Sequence, residues 1–286
     1  MIMNVLTFDI EDWYCNCVWN DLDWSRYEFR LQPWVDNILD VLDEQGLKAT
    51  FFCLGWVADH HPEVIRAIYA RGHHIGCHSY QHRLLTDMDR KAFLEDTQMS
   101  KNALESVIGE CVDAYRAPAW TIQKNNLWVL DELSEMGFKY DSSIFPAIHS
   151  FGGFPDFPKT CPTELILNRG RIKEFPVAMK SICGKHVVFS GGGYFRFFPY
   201  HLVRRWMSDK TYNLCYFHPQ DFDVEQPVAY DLPWERRFKT YYGIKGAFPK
   251  FRRLLKESSP FLDIRTADSC CDWNSNSFNI MKFYGG

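Results

Sequence analysis

The stretch HIGCHSYQH (74–82) decides the fold. HIGC is a short, small, apolar run, and it leads straight into two histidines four residues apart. In front of it, HPEVIRAIYARGH (61–73) has helical periodicity, with Pro62 in the first turn and Gly72 at the end. In front of that, KATFFCLG (48–55) reads as a buried strand. Two apolar strands joined through a helix make a parallel β-α-β unit.

The rhythm continues in both directions. Upstream, PWVDNILDVLDEQG (33–46) puts Val35, Ile38, Leu39 and Leu42 on one helical face, and MNVLTFDI (3–10) is a strand that ends in acid. Downstream, the pattern predicts a helix over 89–109, a strand over 112–116, a helix over 124–136 and a strand over 138–143. The fold class is α/β. Near residue 150 the rhythm breaks, and SFGGFPDFPKTCPTE (150–164) reads as loop. Beyond it lie strands at 172–178 and 185–189, a glycine run GGGYF (191–195), and a helix over 199–209. The strand YNLCYFH (212–218), a basic amphipathic helix over 236–257 and a last strand over 260–267 follow. Residues 269–286 form a tail with no assigned structure. The Asn and Ser of WNSNSFNIMKFYGG (273–286) suggest a loosely held end.

The bulk numbers describe an ordinary soluble globular chain. It has 286 residues, 46% hydrophobic and 24% charged, enough to bury a sizeable core. A net charge of −4 gives no reason to expect nucleic acid or an anionic membrane as partner. The 16% aromatic content fits a well-packed core or a sugar-binding cleft. Of ten cysteines, Cys53, Cys77 and Cys215 sit inside apolar runs, where a free thiol behaves as a small hydrophobe. Cys15-x-Cys17 and Cys270–Cys271 lack second pairs at zinc-site spacing. With no signal-like opening and no 18-residue apolar run, the reading is a cytoplasmic protein with reduced thiols.

Polar chemistry collects at the carboxyl ends of the strands, where parallel α/β architectures gather active groups. The ends carry Asp9-Ile-Glu11-Asp12, His78-Ser-Tyr-Gln-His82, Arg116-Ala-Pro-Ala-Trp120, Asp141-Ser142-Ser143 and His218-Pro219. Two histidines with a carboxylate and an open position form the ligand set of a catalytic divalent metal. In a helical turn, imidazoles at i and i+4 would share one face. His60-His61 and His73-His74 flank a helix and are assigned no chemistry.

TFD (7–9), HSYQH (78–82), RAPAW (116–120), YDSSIFP (140–146) and CYFHP (215–219), in this order, resemble the polysaccharide deacetylase family, the NodB-homology or carbohydrate esterase family 4 domain. GGGYFRFFP (191–199), YFHPQDFD (216–223) and the late RRF–YYG–RRLL pattern resemble a subgroup associated with exopolysaccharide and surface-glycan biosynthesis. The resemblance extends to about residue 268, so residues 1–268 are expected to form one NodB-like domain, with 150–268 its subgroup-specific part packed as a C-terminal extension. It implies a distorted (β/α)7 barrel and a metal-dependent hydrolase that removes acetyl from an N-acetylated sugar. That sugar could be a sugar nucleotide, a lipid-linked glycan or an oligosaccharide. Related possibilities are an amidase or deformylase on another amide, and an inactive glycan-binding protein. The metal is usually zinc; cobalt, nickel or iron occur in relatives.

The resemblance also implies roles. Asp9 is the general base. His78, His82 and a carboxylate hold the metal. The family's two aspartates are adjacent, whereas Ile10 follows Asp9 here, so the carboxylate is Asp12 or Glu11. An offset of three keeps the parity of an offset of one, which favours Asp12; Glu11 shares Asp9's face. Arg116 holds Asp9 ionised, a backbone N–H just after the Arg116-Ala-Pro turn faces the oxyanion, His218 protonates the leaving amine, and Asp141 orients His218. Trp120, Trp13 and Tyr194 are candidate walls of the sugar site, and Tyr14 and Trp19 could stack on a ring. The basic stretch Arg236–Arg253 is either a solvated face or a contact for a phosphate-bearing substrate or the inner leaflet of the membrane.

Overall fold

A computed structural model describes residues 2–15, 23–148, 150–182, 185–230, 232–258 and 260–284. Its strands are β1 (Met3–Ile10), β2 (Thr50–Cys53), β3 (His74–Cys77), β4 (Ala114–Tyr115), β5 (Tyr140–Asp141) and β6 (Thr163–Ile166). They continue with β7 (Arg171–Glu174), β8 (Lys180–Ile182), β9 (Lys185–Val187), β10 (Tyr212–Phe217), β11 (Phe261–Leu262) and β12 (Ser277–Asn279). The helices are α1 (Leu31–Glu44), α2 (Gly55–His60), α3 (Pro62–Ala70), α4 (Arg90–Ile108) and α5 (Trp128–Glu135). After these come α6 (Gly192–Phe197), α7 (Tyr200–Ser208), α8 (Trp234–Tyr241), α9 (Ala247–Ser258) and α10 (Ile264–Asp268).

β10, β1, β2, β3, β4, β5 and β7 run side by side and parallel, in that order. This is the expected seven-strand array. β1 is an inner strand of it, and every residue from Asn4 to Ile10 is buried, as strands covered on both faces must be. Val35, Ile38, Leu39 and Leu42 of α1 are buried, on the face that periodicity assigned. The long helix α4 is capped at both ends: Asp89 accepts the Ala92 N–H, and Gly109 leaves the helix at φ +73°. Between the outer strands of the array, Tyr212 Oη donates to the Pro176 carbonyl at 3.0 Å.

Several elements differ from the sequence reading. β6 begins at the end of the expected loop and pairs antiparallel to β7. The tail is not loose. β12 pairs with β6, Ile280 is buried, and Tyr284 Oη donates to the Leu127 carbonyl. The basic helix divides into α8 and α9, because Gly243 between them takes φ +75°. The last strand keeps two residues beside β1 and then yields to α10, whose first turn is capped by Asp263. GGGYF opens α6 and lets the backbone approach a neighbouring strand closely. Gly191 forms a parallel bridge to Tyr216, and a Cβ there would lie 2.5 Å from the Tyr216 ring and carbonyl. The backbone approaches β10.

Candidate active site

All five polar strand ends open on one side of the array. β1 delivers Asp9 and, two residues on, Glu11; both are buried. β3 delivers His78 and the loop beyond it His82. That loop is not a helical turn. Ser79 and His82 adopt φ +65° and +54°, and Ser79 Oγ accepts the His82 N–H at 3.0 Å. This turn bends the chain enough to bring the imidazole centroids to 5.0 Å. Left-handed backbone at non-glycine residues is costly, and here it clusters at the site, with Ala119 and Trp120 both at φ +49°.

Glu11, His78 and His82 each offer a donor atom within 4.8 Å of the others. Glu11 Oε2 lies 3.1 Å from His82 Nε2, yet it is buried without a hydrogen-bond partner. His78 Nδ1 lies 2.8 Å from the Arg116 carbonyl, so it carries the proton and leaves Nε2 as the free lone pair. Burial pushes His78 down to about 4, which keeps the ring neutral. An orphaned carboxylate oxygen, a pre-set tautomer and an imidazole/imidazole/carboxylate donor set fit a divalent ion of the zinc type.

Asp12 stands elsewhere. Its Oδ1 accepts the Trp13 N–H at 2.8 Å and its Oδ2 the Arg30 N–H at 2.6 Å, at the entry to α1. It serves the unpaired N–H groups of that helix start. Burial raises it to about 6. The parity argument that favoured Asp12 assumed regular alternation out to residue 12, whereas β1 ends at Ile10. Alternation holds as far as Glu11 and not beyond it.

Arg116 is wholly buried, and each of its three guanidinium nitrogens donates a hydrogen bond. It donates to Asp9 Oδ1 (2.6 Å), Thr7 Oγ1 (3.0 Å), Ser142 Oγ (2.8 Å) and the Ser142 carbonyl (3.1 Å), and it packs over Phe52. Burial alone would raise the Asp9 pKa; Arg116, His78 and His218 outweigh it and hold Asp9 below the usual range. Of the N–H groups after Arg116, Ala117's donates to Ser143 Oγ at 2.8 Å and Pro118 has none. The Ala119 N–H is therefore the first candidate oxyanion donor.

His218 Nε2 sits 3.1 Å from Glu11 Oε1 and 3.8 Å from Asp9 Oδ2. The partner of its Nδ1 is Asp221 Oδ2 at 2.9 Å, which also accepts the His218 N–H. Asp221 in turn is 3.3 Å from Arg196. Burial lowers the His218 pKa, but Asp221 and Glu11 prevail and raise it well above the ordinary value. Asp141, expected to orient His218, faces the other way. It pairs with Ser143 and with Glu174, whose backbone lies on β7. Two buried carboxyls side by side cannot both ionise, so burial and Asp141 push Glu174 far up. Asp221, Arg196, Thr7 and Glu174 escaped the sequence reading. Asp221 alone had a signal there, a carboxylate three residues past His218 at capping-box spacing.

Trp13, Trp120 and Tyr194 all line one cleft of about 900 Å³, whose floor includes His218 and Asp221. Tyr14 is buried against Tyr27, and Trp19 lies outside the described residues.

A buried triad able to hold a metal thus stands at the carboxyl edge of a parallel array, beside an arginine-held aspartate. Residues 3–140 match the polysaccharide deacetylase family, and residues 142–267 match a domain of unknown function, DUF3473. The N-terminal segment is thus similar to polysaccharide deacetylases, and the DUF3473 region supplies β6, β7, β10 and β11 of the same sheet. It is 31% identical over 97 residues to a peptidoglycan-N-acetylglucosamine deacetylase of Bacillus cereus, covering 34% of this chain and 35% of that one. It is 33% identical over 98 residues to a chitooligosaccharide deacetylase of Rhizobium leguminosarum bv. trifolii, covering 34% and 43%. The chain thus spans less than half the length of these relatives. In fold it is similar to a Mycobacterium smegmatis protein assigned as a polysaccharide deacetylase, with TM-score 0.64 and 20% identity over 94% of this chain and 89% of the other. A peptidoglycan N-acetylglucosamine deacetylase gives TM-score 0.51 at 17% identity, over 92% and 86%.

Proposed function

We propose that this protein removes the acetyl group from an N-acetylated sugar by metal-dependent amide hydrolysis, as a step in surface polysaccharide biosynthesis. The observation that carries the reading is the convergence of Glu11, His78 and His82 beside the Asp9–Arg116 pair and opposite His218. A divalent ion, zinc by its donor set, supplies Lewis acidity toward the amide carbonyl and toward water. The chain's own residues do the rest. Asp9, fixed through Oδ1 on Arg116, has Oδ2 free to accept the proton of an attacking water. His218, held at Nδ1 by Asp221, presents Nε2 to give a proton to the departing amine. The Ala119 N–H faces the developing oxyanion. Trp13, Trp120 and Tyr194 offer flat faces to the sugar ring.

Cytoplasmic action belongs to the same proposal. It is supported by the buried free thiols Cys53, Cys77 and Cys215, and subcellular fractionation tests it. The surface-glycan assignment rests on the sequence patterns at 191–199 and 216–223. The decisive assay is acetate release from a panel of N-acetylated sugar nucleotides, oligosaccharides and lipid-linked glycans with added zinc, cobalt or nickel. Asp9→Asn and His218→Ala should each lower turnover by about 10²–10⁴-fold. Wild-type protein that holds metal and releases acetate from none of them refutes the reading; release of formate instead moves the activity to another amide.

A further inference from the structure

The described residues expose twelve large hydrophobic side chains, and six of these line the same cleft as His218: Ile148, Tyr194, Phe197, Trp234, Phe238 and Tyr242. Tyr230 (76% exposed) and Val228 adjoin them. α8, which carries Trp234 and Phe238, buries none of its residues. The helix is held to α6 through Arg196, which donates to the Thr240 and Lys239 carbonyls, and its Trp234 and Phe238 face water, which marks an unfilled interaction face.

Its charge is equally one-sided. Segment 234–256 holds eight Lys or Arg and one acid, Glu235, in a chain whose net charge is −4. Part of that charge is spent internally. Lys250 donates to the Phe195 and Phe198 carbonyls, Arg252 pairs with Glu44, and Arg253 pairs with Glu257. Arg236, Arg237, Lys239 and Lys245 have no carboxylate partner among the described residues. Arg236 and Arg237 lie over the rings of Phe151 and Tyr230, keeping their heads at the level of the aromatic rim.

We infer that this rim docks on an anionic lipid surface, with the cleft opening toward the headgroups, so that the sugar it receives is carried on a membrane-bound lipid. The inference rests on the reading of the cleft as the sugar site. Interleaved aromatic and basic side chains are what an interfacial contact requires: rings enter the headgroup layer while cations meet lipid phosphates. A second copy of this chain fits worse, because a two-fold contact would set the same four cations against one another. No helix of the described residues is long and apolar enough to cross a bilayer.

The test is sedimentation of the full chain with phosphatidylcholine vesicles, with and without phosphatidylglycerol. The protein should partition onto the anionic vesicles and leave them as salt rises. The double variant Tyr230→Ser/Arg237→Glu, at two positions outside the cleft lining, should bind at least about tenfold more weakly. Its melting curve and its acetate release from a soluble oligosaccharide should match wild type. Absence of binding to anionic vesicles overturns the inference, as does equal binding by the variant. A concentration-dependent dimer that the variant abolishes also overturns it and assigns the face to a second copy. Vesicle binding without acetate release from any sugar leaves the docking surface standing and removes the deacetylase reading; release without binding does the reverse.

Discussion

Replacing Arg116 by Met keeps much of the side chain's bulk and deletes its charge. Four hydrogen bonds go with it, one to a carboxylate and three to neutral oxygens. Every one has a charged donor, and such a bond is worth about 1.5–3 kcal/mol net. The larger effect is on Asp9, which is left buried with its principal counter-charge gone. Breaking a buried pair from one side costs about 3–5 kcal/mol, a large part of a typical stability of about 5–15 kcal/mol. Asp9→Asn in the same background removes the stranded charge and should recover about 1–3 kcal/mol. The assay is urea unfolding of wild type, both single variants and the double variant at neutral pH. Arg116→Lys should fall between wild type and Met, since one ammonium cannot span Asp9, Thr7 and Ser142 together. A loss below about 1 kcal/mol for Arg116→Met, or a cycle additive within about 0.5 kcal/mol, would refute the argument that this pair holds the floor of the site together.

Two other perturbations probe the frame. Glu174 has a folded-state pKa raised above its unfolded value, so the protonated pair's stability is fully present below the unfolded value near pH 4.3 and is lost as pH rises through the folded pKa. Glu174→Gln removes that loss. The variant should match wild type near pH 4 and be more stable at pH 8 in thermal unfolding, and a parallel pH dependence in both proteins rejects a shared proton. Gly191→Ala forces a methyl to 2.5 Å from the Tyr216 ring and carbonyl, which should cost about 1–3 kcal/mol in urea; an unchanged midpoint means that 190–191 is not held against β10.

Much of this was legible in the chain because the signals were local. The apolar runs ending in Asp9, His78, Arg116 and His218 sit at strand ends in the structure, and one layer of burial on each face is all that a parallel strand needs. What escaped was non-local or too short for periodicity. β12 exists through pairing with β6, more than a hundred positions away, and β6 through a hairpin with the short strand β7. α2 has six residues, fewer than two turns. The choice between Glu11 and Asp12 turned on where β1 stops and on an α1 N-terminus 18 residues away that engages Asp12. The orienting carboxylate of His218 came from the adjacent turn, and Asp141 turned instead to Glu174, a residue whose partner no spacing reveals.

The central claim is that Glu11, His78 and His82 form the metal site and that Asp12 does not. Elemental analysis of protein purified without chelators, with folding checked by far-UV circular dichroism, tests it directly. Wild type and Asp12→Asn should each carry about one transition metal per chain, while Glu11→Gln and His82→Ala should lose it. A Glu11→Gln protein that keeps its metal, with an Asp12→Asn protein that loses it, would contradict the account.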